Sequence, residues 1–250
     1  MRALITGAAS GLARGVAVGL ARTGWFDHVA ITYRETSPDE TLARLVAADV
    51  DASAHRVEFL GDEGAVVAAL GRAMANGPYD VLVHGVGPMT IARFENATSA
   101  DYSEMFDGNV RSAVLAARAV LPAMRAGGFG RIVVFGMNGS SVTRPAKGLS
   151  LHLAAKSALV AFARTLAIEE APCGITVNVV EPGDIREKTL SRAEALARSA
   201  GNPRGRPGTA DDVASAVQFF VDPANDFVTG AVLAVTGGLQ AASEPKAAQP

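Results

Sequence analysis

Short apolar runs rich in β-branched residues alternate along the chain with longer stretches whose apolar positions recur at helical spacing. The runs predict strands at 2–6 (RALIT), 28–34 (HVAITYR), 54–60 (AHRVEFL), 79–85 (YDVLVHG), 130–136 (GRIVVFG), 174–183 (GITVNVVEPG) and 231–238 (AVLAVTGG). Between them, stretches such as GLARGVAVGLART and SALVAFARTLAIEE read as helices. Regular strand–helix alternation predicts an α/β domain with a parallel sheet covered on both faces. No repeat and no linker divides the chain, so one domain is expected over 1–240. The closing stretch AASEPKAAQP, 241–250, has little to bury and is expected to be a poorly ordered tail.

Composition narrows the class. At 250 residues and 49% hydrophobic content, one large core is within reach. The formal net charge of −2 carries no basic excess, so nucleic acid is not an expected partner. Cys173 is the single cysteine, which rules out a disulfide within the chain and fits a reducing compartment. No apolar run is expected to reach membrane-spanning length, and MRALITGAASG is read as entering a strand directly, with no leader pattern. A cytoplasmic protein without membrane partners is therefore expected. No metal site is expected.

Two motifs carry chemistry. ITGAASGLARG places Gly7, Gly11 and Ala13 between a strand and a helix. Gly7 permits a tight turn, Gly11 lets the backbone approach a phosphate, and a small residue at 13 allows close packing. With Ser10 and Leu12, this turn is a candidate pyrophosphate site at a helix N-terminus; the alternative is a purely structural turn. The second motif is VAITYRETS. Where an NAD site commonly ends its strand on an acid, this chain has Tyr33 and Arg34. A guanidinium suits a 2′-phosphate, which points to NADP, although Glu35 follows at once and an ordinary surface arginine reads the same way.

Further pieces follow in order: VLVHGVG with Gly85, Val86 and Gly87; a helix bearing Asn109; GRIVVFGMNGSS; HLAAK; and EPGDI with Pro182, Gly183 and Ile185. Together with the first motif they resemble the short-chain dehydrogenase/reductase family, and within it the bacterial 3-oxoacyl-acyl-carrier-protein reductases. The resemblance runs from about residue 2 to 240. It implies a doubly wound α/β fold of Rossmann type, with a seven-stranded parallel sheet of order 3-2-1-4-5-6-7, a nicotinamide cofactor, and often a tetramer. It also implies an Asn, a Ser and a Tyr-x-x-x-Lys motif. The asparagine falls on Asn109 and the lysine on Lys156. The tyrosine falls on His152 and the serine on Met137, with Asn138, Ser140 and Ser141 just beyond in a loop that seems slightly long. The usual Asn-Asn-Ala-Gly reads His84-Gly85-Val86-Gly87, and an adenine-binding aspartate falls near Phe59, with Asp62 nearby.

A helix puts His152 and Lys156 on one face. An ammonium that assists a tyrosine by favouring the phenolate disfavours an imidazolium, so His152 is either a handicapped substitute acid, a packing residue or a binding group. His84 reads as structural at a strand end, and His28 and His55 as surface positions. Lys156 is expected to hold the nicotinamide ribose. The segment REKTLSRAEALARSAGNPRGRPGT carries Arg186, Lys188, Arg192, Arg198, Arg204 and Arg206. It reads as a cationic lid suited to an anionic acyl carrier or coenzyme A, or as a solvated face. Two functions remain open. One is an NADP-dependent oxidoreductase acting on a carbonyl, with a small-molecule or acyl-thioester substrate and Asn109, His152 and Lys156 at its centre. The other is a weak or silent NADP-binding sensor or partner subunit. A homotetramer is expected in either case.

Overall fold

Seven parallel strands form one sheet in the order β3-β2-β1-β4-β5-β6-β7 in a computed structural model that describes residues 1–183, 185 and 188–239. The tail 241–250, Asp184 of EPGDI and the lid cation Arg186 lie outside the described residues. The strands are β1 (Arg2–Thr6), β2 (His28–Tyr33), β3 (Asp51–Arg56), β4 (Val81–His84), β5 (Gly130–Phe135), β6 (Ile175–Pro182) and β7 (Val232–Val235). The helices are α1 (Gly11–Ala21), α2 (Asp39–Val46), α3 (Glu63–Met74), α4 (Ser99–Phe106), α5 (Ser112–Gly127), α6 (Ser150–Glu170), α7 (Arg192–Leu196) and α8 (Ala210–Val221). Strand order and architecture are those the sequence predicts.

The central strands read as unbroken apolar runs because successive side chains enter two different cores. Leu4, Leu82, Ile132 and Val134 meet Leu70, Val120 and Leu159 of α3, α5 and α6. Ile5, Val81, Val83 and Val133 meet Val16, Leu20, Leu45 and Val217 of α1, α2 and α8. Helix α1 sits close against α8: a Cβ added to Gly15 or Gly19 would lie 2.2 and 2.5 Å from the Cβ atoms of Ala210 and Ala214.

Three expectations need correction. The third strand occupies Asp51–Arg56, not 54–60. As an edge strand it is only half covered, so its polar sequence hides it, while the apolar Val57 and Phe59 are buried just beyond its end. His28 is buried, not a surface residue. It lies directly across from Asp51, with Nδ1 2.7 Å from Asp51 Oδ2 and Nε2 3.0 Å from Ser53 Oγ. Finally, α6 and the turn after it, Ser150–Cys173, do reach membrane-spanning length and apolarity by composition. Their apolar face is instead packed in the core through Leu159, Val160, Ala163 and Leu166.

The strand order reverses between β1 and β4, which opens a crevice beyond their carboxyl ends. The loops after β1, β2, β4, β5 and β6 meet around it.

Candidate functional site

The glycine turn after β1 forms one wall of the crevice. Gly7 and Gly11 have φ of 67° and 64°, the left-handed region that favours glycine. Gly7 N–H donates to Thr32 Oγ1 at 3.0 Å and Ala8 N–H to the Thr32 carbonyl at 3.1 Å, which tie the turn to β2. Ala13 faces Gly85: a Cβ at 85 would lie 2.5 Å from Ala13 Cβ and 2.6 Å from the Thr6 carbonyl oxygen. Two small residues thus let the α1 N-terminus approach the β4 end. Ser10 is exposed and caps no helix N–H with its side chain, and the first turn of α1 has no acid. Its orphan N–H groups are therefore available to an anion.

At one end of the crevice is a cavity of about 310 Å³, lined by Gly7, Ser10, Tyr33, Arg34, Glu58, Phe59 and Leu60 among others. Its size and mixed apolar and polar lining suit an adenosine. The Arg34 side chain is half exposed and lies 3.6 Å from Glu35 and 3.8 Å from Glu58. Neither approach is a hydrogen bond, so the guanidinium keeps its donors for a ligand. Asp62 is committed elsewhere, since its Oδ1 accepts from Ala65 N–H at 3.1 Å as the cap of α3. Glu58, two residues after β3, was not singled out from the sequence because the misplaced strand hid it.

At the other end is a cavity of about 750 Å³ lined by Gly11, Leu12, Gly87, Met89, Met137, His152, Lys156, Pro182, Gly183 and Ile185 among others. Val86 belongs to the adenosine end. Lys156 is buried, and its Nζ donates to the Phe135 carbonyl at 2.6 Å. Burial lowers its pKa to about 8. Asn109 sits in a π-helical stretch, Asp107–Arg111, between α4 and α5. Its Nδ2 donates to the carbonyls of Met105 at 2.8 Å and Pro88 at 3.1 Å, leaving the buried Oδ1 without a partner. A Cβ on Gly87 would lie 2.9 Å from both Asn109 Oδ1 and Lys156 Nζ. Asn109 and Lys156 therefore flank the same glycine. The turn, the close glycines and these two polar groups fit a nicotinamide dinucleotide.

His152 shares the cavity with Lys156 one helical turn away, and is buried. Its Nδ1 is buried without a hydrogen-bond partner. Burial first, and the Lys156 charge second, lower its pKa to about 4, against a smaller opposing pull from the Pro88 carbonyl. At pH 7 only about one ring in a thousand is an imidazolium.

The loop after β5 does fold back, but away from the cavity. Ser140 is buried, accepts from Met137 N–H at 3.2 Å and donates to Glu181 Oε1 at 2.8 Å. Glu181 also accepts from Gly139 N–H at 3.2 Å and Ser141 N–H at 2.6 Å. Gly136 and Met137 are the residues of this loop that line the cavity. Asn138 Oδ1 is buried without a partner.

His84 lies beneath the site in a hydrogen-bond chain. Its Nδ1 is 2.9 Å from Thr6 Oγ1 and its Nε2 3.0 Å from Ser112 Oγ, which donates to the Gly108 carbonyl at 2.6 Å. Because the serine proton is used on Gly108, the chain assigns the proton to Nε2 and makes Nδ1 an acceptor from Thr6. Complete burial, then the Lys156 charge, lower the His84 pKa to about 3, so the ring is neutral as this network requires.

The lid is less cationic in effect than its sequence suggests. Asp212 receives both Arg192, at 2.9 Å, and Arg206, at 2.8 Å. Arg204 is exposed. Lys188 alone of the described lid cations lines the cavity that holds Lys156.

Comparison with known proteins agrees with this geometry. A family model described as enoyl-(acyl carrier protein) reductase matches residues 7–240. The chain is 35% identical over 251 residues to an oxidoreductase of Bacillus subtilis, covering 95% of each chain. It is 30% identical over 243 residues to the 3-oxoacyl-(acyl-carrier-protein) reductase of Escherichia coli, covering 95% of this chain and 96% of that one. A 3-oxoacyl (acyl-carrier-protein) reductase from Agrobacterium tumefaciens, solved with NADP bound, superposes with a TM-score of 0.83 at 25% identity, covering 94% of this chain and 93% of that one.

Proposed function

This chain belongs to the short-chain dehydrogenase/reductase family, and we propose that it is an NADP-dependent oxidoreductase that reduces a carbonyl at a centre with neither a phenol nor a serine hydroxyl. The observation that carries this reading is the pairing of Asn109 and Lys156 across Gly87, at the end of a dinucleotide-shaped crevice. NADP is favoured by Arg34, whose donors are not consumed by Glu35 or Glu58. When bound, the reduced cofactor supplies a hydride to the carbonyl carbon. The protein's part is to bind, to orient and to deliver a proton to the oxygen. The turn at Gly7–Leu12 holds the pyrophosphate, and Pro182, Gly183 and Ile185 border the nicotinamide side.

The residue that stores the proton near neutrality is Lys156, not His152. A group with a pKa of about 8 is mostly protonated at pH 7, whereas one with a pKa of about 4 is not. His152 and Met137 instead shape the cavity beside the reacting centre. A 3-oxoacyl thioester is the favoured substrate class, drawn from the Escherichia coli and Agrobacterium tumefaciens relatives and from the apolar Met89 and Met137 at the cavity. The protein acts as a homotetramer, with Ile168, Phe219 and Phe227 among the exposed apolar residues to be covered.

A second reading rests on the same His152 and Met137: an NADP-binding partner subunit with little turnover of its own. One experiment separates the two. NADPH consumption is followed against a panel of carbonyl substrates that includes acetoacetyl thioesters, with cofactor binding measured in parallel. Turnover of any member supports the oxidoreductase. Tight NADPH binding with no turnover selects the partner subunit, and preference for NADH overturns the NADP assignment.

A further inference from the structure

We propose that Lys188 is a pyrophosphate-binding residue, whose ammonium adds a charge contact to those of the backbone N–H groups at the glycine turn. The proposal rests on the reading that the crevice takes a nicotinamide dinucleotide, but not on which one. Lys188 Cδ lies 3.5 Å from where a Gly11 Cβ would stand, so its stem crosses the first residue of α1. Gly11 is where the unpaired N–H groups of that helix begin, and Ser10 leaves them uncapped. The ammonium, two bonds beyond Cδ, is thereby carried to the place where the helix already favours a negative group.

Ile185 and Leu190, on either side of Lys188, are both buried. Lys188 itself is exposed and makes no ion pair or hydrogen bond among the described residues. Arg192 and Arg206, by contrast, are engaged with Asp212. Among the described residues that line the cavity there are two ammonium groups, Lys156 and Lys188, and no carboxylate. They come from different elements. Lys156 stands on α6 at the reacting end, and Lys188 on the lid over the turn.

The test is cofactor binding, followed by NADPH and NADH fluorescence at low ionic strength, in the full chain and in Lys188→Ala, Lys188→Arg and Arg34→Ala. A charge-assisted phosphate contact at a partly open site predicts that Lys188→Ala weakens both cofactors by the same factor, about tenfold. That loss shrinks as salt is raised, because an open contact is screened. Lys188→Arg retains most of the affinity. Arg34→Ala weakens NADPH and spares NADH, and displacement by adenosine 2′-monophosphate, which has no pyrophosphate, is unaffected by Lys188→Ala. If the parent binds a cofactor and Lys188→Ala binds it equally well, Lys188 is not a pyrophosphate residue and the dinucleotide reading stands. If Lys188→Ala also weakens adenosine 2′-monophosphate, its contact is to the wrong end of the cofactor and the proposal fails. A parent that binds neither cofactor overturns both.

Discussion

Ser140 Oγ donates to Glu181 Oε1 at 2.8 Å, and this turns the hydroxyl of the β5 loop into the protein instead of toward the cavity. Glu181 is fully buried and gathers Gly139, Ser140 and Ser141 around one carboxylate. Removing it as Glu181→Ala strands two buried donors and a part-buried one, a loss of about 3 kcal/mol. Urea denaturation reads the effect. Glu181→Gln, which keeps an acceptor oxygen, is expected to lose less than half as much. Equal midpoints for parent and Glu181→Ala would show that the loop does not depend on it.

The pH dependence of stability reports on His84. Its folded pKa, lowered to about 3, lies below the ordinary 6.5, so the unfolded chain binds the extra proton first. The contribution is complete above pH 6.5 and is lost as pH falls toward 3, at about 1.4 kcal/mol per pH unit. His84→Asn keeps polar contacts at this position but does not titrate. Its stability is expected to fall less steeply between pH 6.5 and 4, and identical slopes would remove His84 as the cause.

The proton-storing role proposed for Lys156 predicts an alkaline limb in the pH profile of turnover. The ammonium is lost as pH rises through about 8, so reduction is expected to slow through that region. His152→Ala should keep the limb unchanged, because the ring is already neutral there. A limb that moves or vanishes in His152→Ala returns the proton to the histidine. The double variant His152→Tyr with Met137→Ser restores a phenol and a hydroxyl beside Lys156, and is expected to raise turnover about a hundredfold or more.

Assembly is testable by light scattering. The expected mass is that of four chains, and Phe227→Asp, at a residue that is fully exposed, is expected to lower it. A monomer at micromolar concentration would contradict the assembly and leave the exposed Phe227 without a role.

The sequence made the alternation of strands and helices legible because buried parallel strands and their helices differ so plainly in period, while the order of the strands followed from the family resemblance. It also brought Gly7, Gly11, Gly85, Gly87, Asn109 and Lys156 to one crevice. It misled where one residue's surroundings come from distant chain. His28 seems a surface residue until β3 pairs beside it, and β3 itself is polar because it is an edge. The lid seems cationic until Asp212, on α8, is counted. Glu181 has no local signal, because its partners lie some forty residues earlier in the chain. The neighbour effect of Lys156 on His152 was anticipated in sign, but burial is the larger cause, and burial has no local signature.

The π-helical stretch at Asp107–Arg111 carries one residue more than an α-helix would use over the same rise, and Asn109 is inside it. Deleting a single residue there would leave a smoother, more regular helix running from α4 into α5. It would also swing everything on one side of the cut by about 100° relative to the other. The Asn109 amide would leave Pro88 and Gly87, and the His84 chain would lose Gly108. Regularity and the site are thus alternatives at this point of the chain.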